Sequence, residues 1–327
     1  MFKYNADEIS KELLAAIQAA AKTMGEKADI SLQTTTKVND VEKVGICIGT
    51  GNETVKPTMY IDREVEMIRN GDLSIKECAD TLLSQIRLIM AHETGEIAAT
   101  VKSLFENVDK SRITLQIISK EKNEKLLKNA PHRDLCGDLS LIARYHFNED
   151  ASAIINNGMA QGLGMTSSEV IEAGIKNISA EGYEIKSMSS LLAGMMGVSE
   201  EEFKEMEGID KDAQMYVVTN EAKLYGAAGI FADCSVRERV ADTIGKDFYI
   251  IPSSTHEVIC TAADKIPSEE MTSMINDVNC AHLLPEDVLS NHPYLVNFET
   301  LKISNPCIDI MADTNSAVDK ITATAHM

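Results

Sequence analysis

The chain has 327 residues, enough for two domains or one large one, with a core that needs no disulfide or metal support. Its 31 Lys and Arg residues against 51 Asp and Glu residues give a net charge of −20, which disfavours general binding to nucleic acids and to anionic membranes. The seven cysteines include no CxxC pair, a pattern that disfavours disulfide frameworks and cysteine zinc sites and favours a reducing, cytoplasmic compartment.

The first part of the chain predicts a helix followed by a β-meander. Apolar residues at helical spacing predict the helix over about residues 6–24. Three strands are predicted after it, at Leu32–Val38, Val44–Ile48 and Thr58–Ile61. The next helix has the clearest pattern in the chain, because its apolar residues form one continuous face from Ile75 to Met90.

The middle of the chain predicts a strand at Arg112–Ser119 and a second strand at Leu135–Phe147, with Ala151–Asn156 as its hairpin partner. A glycine-rich segment follows, and this change in composition predicts a domain boundary near Asn157. The prediction is an N-terminal α+β domain over residues 1–157, a C-terminal α+β domain over 158–304 and a flexible tail over 305–327.

The stretch from Gln214 to Cys260 gives the most detailed prediction of local structure. Its elements are predicted as a strand at Met215–Thr219, a small-residue helix at Tyr225–Ala232, a capped helix at Ser235–Ile244, and strands at Phe248–Ile251 and His256–Cys260 around a sharp turn. Long helices interleaved with hairpin-like strands favour the α+β class. We expect mixed or antiparallel sheets, with long amphipathic helices packed on one face.

The turn between these last two strands is the first candidate for a catalytic site. It brings hydroxyls (Ser253, Ser254), an imidazole (His256) and a carboxylate (Glu257) close together, as a hydrolase needs for its nucleophile, base and orienting group. No GxSxG elbow is present. The alternative is a structural hairpin turn, in which the serines bond to backbone groups and His256 begins the strand.

Asn220 is the second candidate, because it ends a predicted strand just before the small-residue helix. Asparagine commonly forms turns through its side chain, and that interpretation competes with contact to a ligand. The small residues after it are expected to let a helix approach the sheet closely.

A third candidate is a metal site at His92 and Glu96. The segment resembles the H-E-x-x-H helix of zinc proteases with glutamate in place of the second histidine, and Glu93 would be the base. The two candidate ligands would lie one helical turn apart. A third ligand is missing from any recognisable motif, and Gly95 weakens the helix, so a solvated polar segment is the alternative.

Several segments together resemble one protein family. They are Pro57–Ile61, Met215–Asn220, Tyr225–Ile230, Tyr249–Ile259, Met274–Asn279 and Asp287–His292. In this order they resemble DUF5688, a family of uncharacterised proteins of Clostridia. The resemblance covers most of the chain and is strongest from Gln214 to Val296. It implies a bacterial cytoplasmic accessory protein, and it implies no catalytic residues.

The favoured interpretation is therefore a protein without a cofactor that acts by binding another, unidentified protein. The acidic surface, the amphipathic helices and the incomplete catalytic motifs favour it, and self-association stays open. The hydrolase and the metal-dependent hydrolase remain alternatives, so the sequence leaves open whether the protein is an enzyme. No signal peptide is predicted, and no apolar run approaches the roughly 20 residues of a membrane span.

Overall fold

The computed structural model describes residues 5–23, 29–49, 58–92, 108–147, 152–207, 214–252 and 254–305. The chain forms an α+β protein with antiparallel sheets, and this confirms the predicted fold class. Contacts within the chain divide it into two compact units, residues 1–109 and residues 110–327.

The first unit combines helices with a small sheet. Its helices are α1 (Ala6–Thr23), α2 (Asp62–Asn70) and α3 (Ile75–His92), and its strands are β1 (Asp29–Thr36), β2 (Glu42–Gly49) and β3 (Thr58–Tyr60). The strands pair antiparallel in the order β1-β2-β3, which is the predicted meander.

The apolar face of α3 forms the core of this unit. Leu82, Leu83 and Ile86 are buried together with Leu13 of α1 and Ile46 of β2. Ser74 and Glu77 cap the N-terminus of helix α3, because the backbone N–H of each residue donates to the side chain of the other. The stripe of apolar residues seen in the sequence therefore is the face that packs against α1 and β2.

The second unit contains the remaining elements. Its helices are α4 (Glu124–Asn129), α5 (Asn157–Gly162), α6 (Ser167–Ile178), α7 (Met188–Met196), α8 (Glu200–Glu207), α9 (Ala227–Ala232), α10 (Cys234–Ile244) and α11 (Ser268–His282). Its strands are β4 (Ile113–Ser119), β5 (His132–Leu135), β6 (Leu139–His146), β7 (Ser152–Ile154), β8 (Tyr183–Ser187), β9 (Met215–Asn220), β10 (Phe248–Ile251), β11 (Val258–Ala262), β12 (Tyr294–Val296) and β13 (Ile303–Ser304).

The smaller sheet of this unit is centred on β6. Strand β4 pairs along one edge of β6, while β5 and β7 pair with its two halves. The sequence predicts a single strand at Leu135–Phe147, but Cys136 and Gly137 adopt positive φ angles of 50° and 80° and turn the chain back between β5 and β6. A left-handed pair of this kind ends a strand.

The smaller sheet also explains why the compact units do not divide near Asn157. Strand β7 lies before that residue and pairs with β6, whereas α6 lies after it and packs on β4 and β6. The strand before Asn157 is therefore part of the same sheet on which the helix after Asn157 packs.

The larger sheet has the antiparallel order β13-β12-β10-β11-β9-β8. Helix α9 contacts β9 of this sheet and β4 of the smaller one, and its residues Ala227 to Phe231 are all buried. A Cβ atom at Gly229 would lie 2.1 Å from the ring of Tyr183 on β8. The helix can approach the sheet this closely only because the position is a glycine.

Asp138, in the turn after β5, links the two sheets. Its Oδ2 accepts hydrogen bonds from His292 Nε2 at 2.8 Å and from the Tyr294 hydroxyl at 2.9 Å, and its Oδ1 accepts one from Asn305 Nδ2 at 3.1 Å. His292 Nδ1 lies 3.1 Å from the carbonyl oxygen of Pro293. Burial lowers the pKa of His292, but its hydrogen bonds to Asp138 and to the Pro293 carbonyl raise the pKa above its ordinary value.

Candidate functional site

The predicted catalytic turn is held closed by Ser254. The Ser254 hydroxyl oxygen accepts hydrogen bonds from the backbone N–H groups of His256 at 3.0 Å and of Glu257 at 3.3 Å. The Ser254 N–H donates to the Glu257 carbonyl oxygen at 3.1 Å. Ser254 is buried, and Glu257 contributes its main chain to the turn. Ser253 lies outside the described residues.

His256 lies in the turn rather than at the start of a strand, since β11 begins at Val258. Its Nδ1 accepts a hydrogen bond from the backbone N–H of Tyr225 at 3.2 Å, so the proton of the neutral ring is on Nε2. Nε2 lies 3.6 Å from Asp287 Oδ1. The imidazole thus links the loop before α9 to the loop after α11, and the Ser254 oxygen is engaged by the main chain.

Asn220 closes the loop between β9 and α9. Its Oδ1 accepts from the N–H of Leu224 and its Nδ2 donates to the carbonyl oxygen of Leu224, both at 3.0 Å. Nδ2 also donates to Glu181 Oε2 at 2.9 Å. Burial raises the pKa of Glu181, and the bonds from Asn220 and Tyr183 oppose that shift. Asn220 is therefore placed as a turn former, and its contact with a ligand stays a prediction.

Gly226 is where β9, the loop before α9 and the turn after β10 come together. Thr219 Oγ1 donates to the His256 carbonyl oxygen at 2.9 Å. A Cβ atom at Gly226 would lie 2.6 Å from the backbone nitrogen of Asn220 and 2.8 Å from the His256 carbonyl oxygen. The candidate residues of the sequence therefore do lie side by side, and the contacts between them are those that fix three chain segments against each other.

A cavity of about 140 Å³ begins beside this turn, at Pro252. Apolar side chains of β9, β10, β11 and α11 line most of it. The polar exception, Asn279, donates hydrogen bonds from Nδ2 to the Ser290 carbonyl oxygen and to Asn291 Oδ1, each at 2.9 Å. The cavity presents a hydrocarbon surface, and Ser254 and His256 are not part of its lining.

The predicted metal site stays a prediction. Helix α3 extends to His92, but the His92 side chain and the whole of Glu93 and Glu96 lie outside what the structure describes. Among the described residues, no group of three or more His, Cys, Asp or Glu side chains is arranged to hold a metal ion.

The most unusual surface of the described residues is on α7. Its sequence, Met188–Met196, contains no charged residue. Ser189 and Ala193 are buried where the helix packs on β8, β9 and α8. The four large apolar residues that α7 exposes, here termed the outer face of α7, are Leu191, Leu192, Met195 and Met196, with Ser190 and Gly194 exposed beside them. Met195 is 85 % exposed and Met196 is 56 % exposed.

Acidic residues lie on the next helix. Helix α8 follows α7 in the chain, contacts it and exposes Glu201, Glu202 and Glu205. Its one lysine, Lys204, pairs with Glu200 at 2.6 Å and so does not offset those charges. Met206 is also exposed on α8. No residue of this region was among the predicted sites, although an uncharged stretch next to an acidic one is visible in the sequence.

Fold and surface together define an α+β protein with antiparallel sheets and an exposed apolar helix face beside an acidic helix. The model of DUF5688, described as a family of unknown function, matches residues 8–297, and the chain belongs to that family. No curated protein and no solved structure matches the chain. None of the helices in the described ranges has the length and apolar character needed to cross a bilayer.

Proposed function

We propose that the protein is a bacterial cytoplasmic accessory protein that binds another protein through the outer face of α7. The observation that carries the proposal is that α7 has no charged residue and exposes four large apolar side chains in the part of the chain that the structure describes. Large exposed apolar patches mark sites of interaction. The outer face of α7 is the surface that we propose a partner covers.

The residue types of the outer face suit recognition of a helix. Met195 and Met196 have flexible, polarisable side chains that adapt to irregular surfaces, which is why methionine is frequent at adaptable binding surfaces. Leu191 and Met195 are one helical turn apart, as are Leu192 and Met196, so the face presents two parallel apolar rows. A partner helix with one apolar face fits such rows.

The charge beside the face favours a basic partner. Glu201, Glu202 and Glu205 would attract lysine or arginine at the edge of a bound amphipathic helix and would repel acidic surfaces. A second copy of the chain carries the same acids and the same net charge of −20, which disfavours self-association through this face. The partner we propose is therefore a protein with a basic amphipathic helix.

The cysteines support the proposed compartment. All of the described ones, among them the buried Cys47, Cys78 and Cys260, are free thiols. Free thiols are typical of proteins that work in a reducing compartment.

A synthetic helical peptide with leucines at helical spacing and lysines elsewhere is expected to bind the protein. Replacing Leu191 and Met195 together by glutamine should weaken binding about tenfold or more, because truncating a buried apolar anchor typically costs about 1 kcal/mol or more. Fluorescence anisotropy of the labelled peptide measures the affinity. Added salt should weaken binding as well, since part of the attraction is between charges.

Met274 offers a matched control, because it is an exposed methionine on a different helix, α11. Met274→Gln should leave the affinity unchanged, and thermal unfolding should show that both variants remain folded. Equal affinity for a peptide with glutamates in place of the lysines would contradict the proposed partner chemistry. Unchanged affinity in the Leu191→Gln/Met195→Gln variant would contradict the proposed site.

A further inference from the structure

A row of polar side chains lies on one face of the smaller sheet. In the register of the sheet, Thr114 of β4 is opposite Arg144 of β6, and His146 of β6 is opposite Ser152 of β7. Gln116 follows Thr114 on the same face of β4. Residues that alternate along a strand, and those directly opposite each other, point to the same side of a sheet.

Arg144 is the cation in this row, and all of its contacts are with neutral groups. Nη1 donates to Gln116 Oε1 at 3.1 Å, Nε donates to Ser152 Oγ at 3.1 Å, and Nη2 lies 3.5 Å from the Ser152 carbonyl oxygen. The guanidinium carbon lies 4.7 Å from the centre of the Tyr225 ring. Within the described parts of the chain, no carboxylate forms an ion pair with Arg144.

A partly buried guanidinium without a carboxylate is unusual, because a desolvated charge is costly unless it is paired. Burial lowers the pKa of Arg144 and the neighbouring Tyr225 opposes that shift, and arginine remains protonated at physiological pH. The contrast with Arg133 on β5 is direct, since its Nη2 lies 3.8 Å from Glu172 Oε1. Among the described residues Arg144 therefore has no carboxylate partner, although the chain contains 51 acidic residues.

The surroundings of Arg144 are open and can supply further hydrogen bonds. Thr114, Arg144, His146 and Ser152 are all partly exposed, so a small solute can reach them. His146 Nε2 is 3.0 Å from Thr114 Oγ1. Burial lowers the pKa of His146, as does the charge of Arg144, so the ring is neutral near pH 7. The row therefore presents one fixed positive charge among neutral hydroxyl and imidazole groups.

We infer that Arg144 binds the carboxylate or phosphate group of a small anionic ligand. The guanidinium has five N–H donors and uses three of them in the contacts described, which leaves one on Nη1 and one on Nη2. Such a fork matches two oxygens of one oxyanion. The Tyr225 ring holds the guanidinium plane in place, and the ring lies in turn 5.3 Å from that of His256.

The test is thermal unfolding of the full chain in sodium phosphate, sodium acetate and sodium chloride at equal ionic strength. Phosphate or acetate should raise the melting temperature in a saturable way relative to chloride, and the one that acts at lower concentration identifies the class of anion. In Arg144→Gln the concentration needed for half of the effect should rise about tenfold or more, and in Arg144→Lys by less, since lysine keeps the charge without the fork.

Arg133→Gln is the matched control, because it removes an arginine of the same sheet that already has an acidic neighbour, and it should leave the anion effect intact. Stabilisation by neither phosphate nor acetate in the unmodified protein would overturn the inference without reference to any variant. Equal stabilisation of Arg144→Gln and the unmodified protein would overturn it as well. If Arg144→Gln does not fold, Arg144→Lys takes its place. Equal half-effect anion concentrations in Arg144→Lys and the unmodified protein would then overturn the inference.

Discussion

Replacing Gly226 by alanine is expected to lower the free energy of unfolding by about 3 kcal/mol, at the upper end of what overpacking costs. The added Cβ would lie 2.6 Å from the Asn220 nitrogen and 2.8 Å from the His256 carbonyl oxygen. Both are backbone atoms, so no side chain can rotate away to relieve the contact. The loop before α9 would have to move away from β9 and from the turn that follows β10.

Chemical denaturation monitored by circular dichroism measures this loss. Gly194→Ala is the matched control, because nothing lies within 4 Å of the added Cβ at that exposed position of α7. Alanine should raise stability there by up to about 1 kcal/mol through its higher helix propensity. Equal stability of Gly226→Ala and the unmodified protein would show that the three segments do not meet at Gly226 as described.

Asp138→Asn is expected to destabilise the protein by about 1.5–3 kcal/mol near pH 6, the range typical of hydrogen bonds to charged groups. The carboxylate accepts from His292, Tyr294 and Asn305, and its removal leaves protonated His292 without its counter-ion. Asparagine has nearly the same shape and keeps one acceptor oxygen. The loss therefore reports on the charge rather than on packing.

The cost of Asp138→Asn should depend on pH in a defined direction. Burial lowers the pKa of His292, but its hydrogen bonds to Asp138 and to the Pro293 carbonyl outweigh burial and raise the pKa above its ordinary value. A raised pKa in the folded state stabilises the protein fully below the unfolded pKa of about 6.5 and loses that effect as pH rises through the folded value. The difference between the two proteins should therefore be larger at pH 6 than at pH 9.

Denaturation curves of both proteins at the two pH values provide the measurement. Asp264→Asn is the control, because Asp264 forms an exposed pair with Lys246 and its removal should have little effect at either pH. If the difference in unfolding free energy between the two proteins stays constant from pH 6 to pH 9, Asp138 does not raise the pKa of His292.

Local patterns in the sequence predicted most of the fold. The apolar stripe of α3 corresponds to the structure, because it is set by residues within one or two helical turns. The prediction of one continuous strand over Leu135–Phe147 was wrong. The strand is interrupted at Cys136, whose left-handed conformation is held by surrounding structure that a local pattern does not contain.

The candidate sites were predicted less well, because their geometry depends on contacts between distant segments. The sequence located the turn at Ser254 and His256, yet the partner of the imidazole, Tyr225, is 31 residues away. The uncharged stretch of α7 is visible in the sequence, but only the fold shows which of its residues are exposed in the part of the chain that the structure describes. Likewise, the neutral surroundings of Arg144 come from three strands and a loop.

Site-specific photo-crosslinking in cells that make the protein tests most directly whether a partner covers α7. A photoreactive residue is placed at Met195 or, as the control, at Met274, and the crosslinked peptides are identified by mass spectrometry. We predict an adduct at position 195, missing at 274, in which the attached segment of another protein is a basic amphipathic helix. An adduct to a second copy of this chain, or no product specific to position 195, would contradict the proposal.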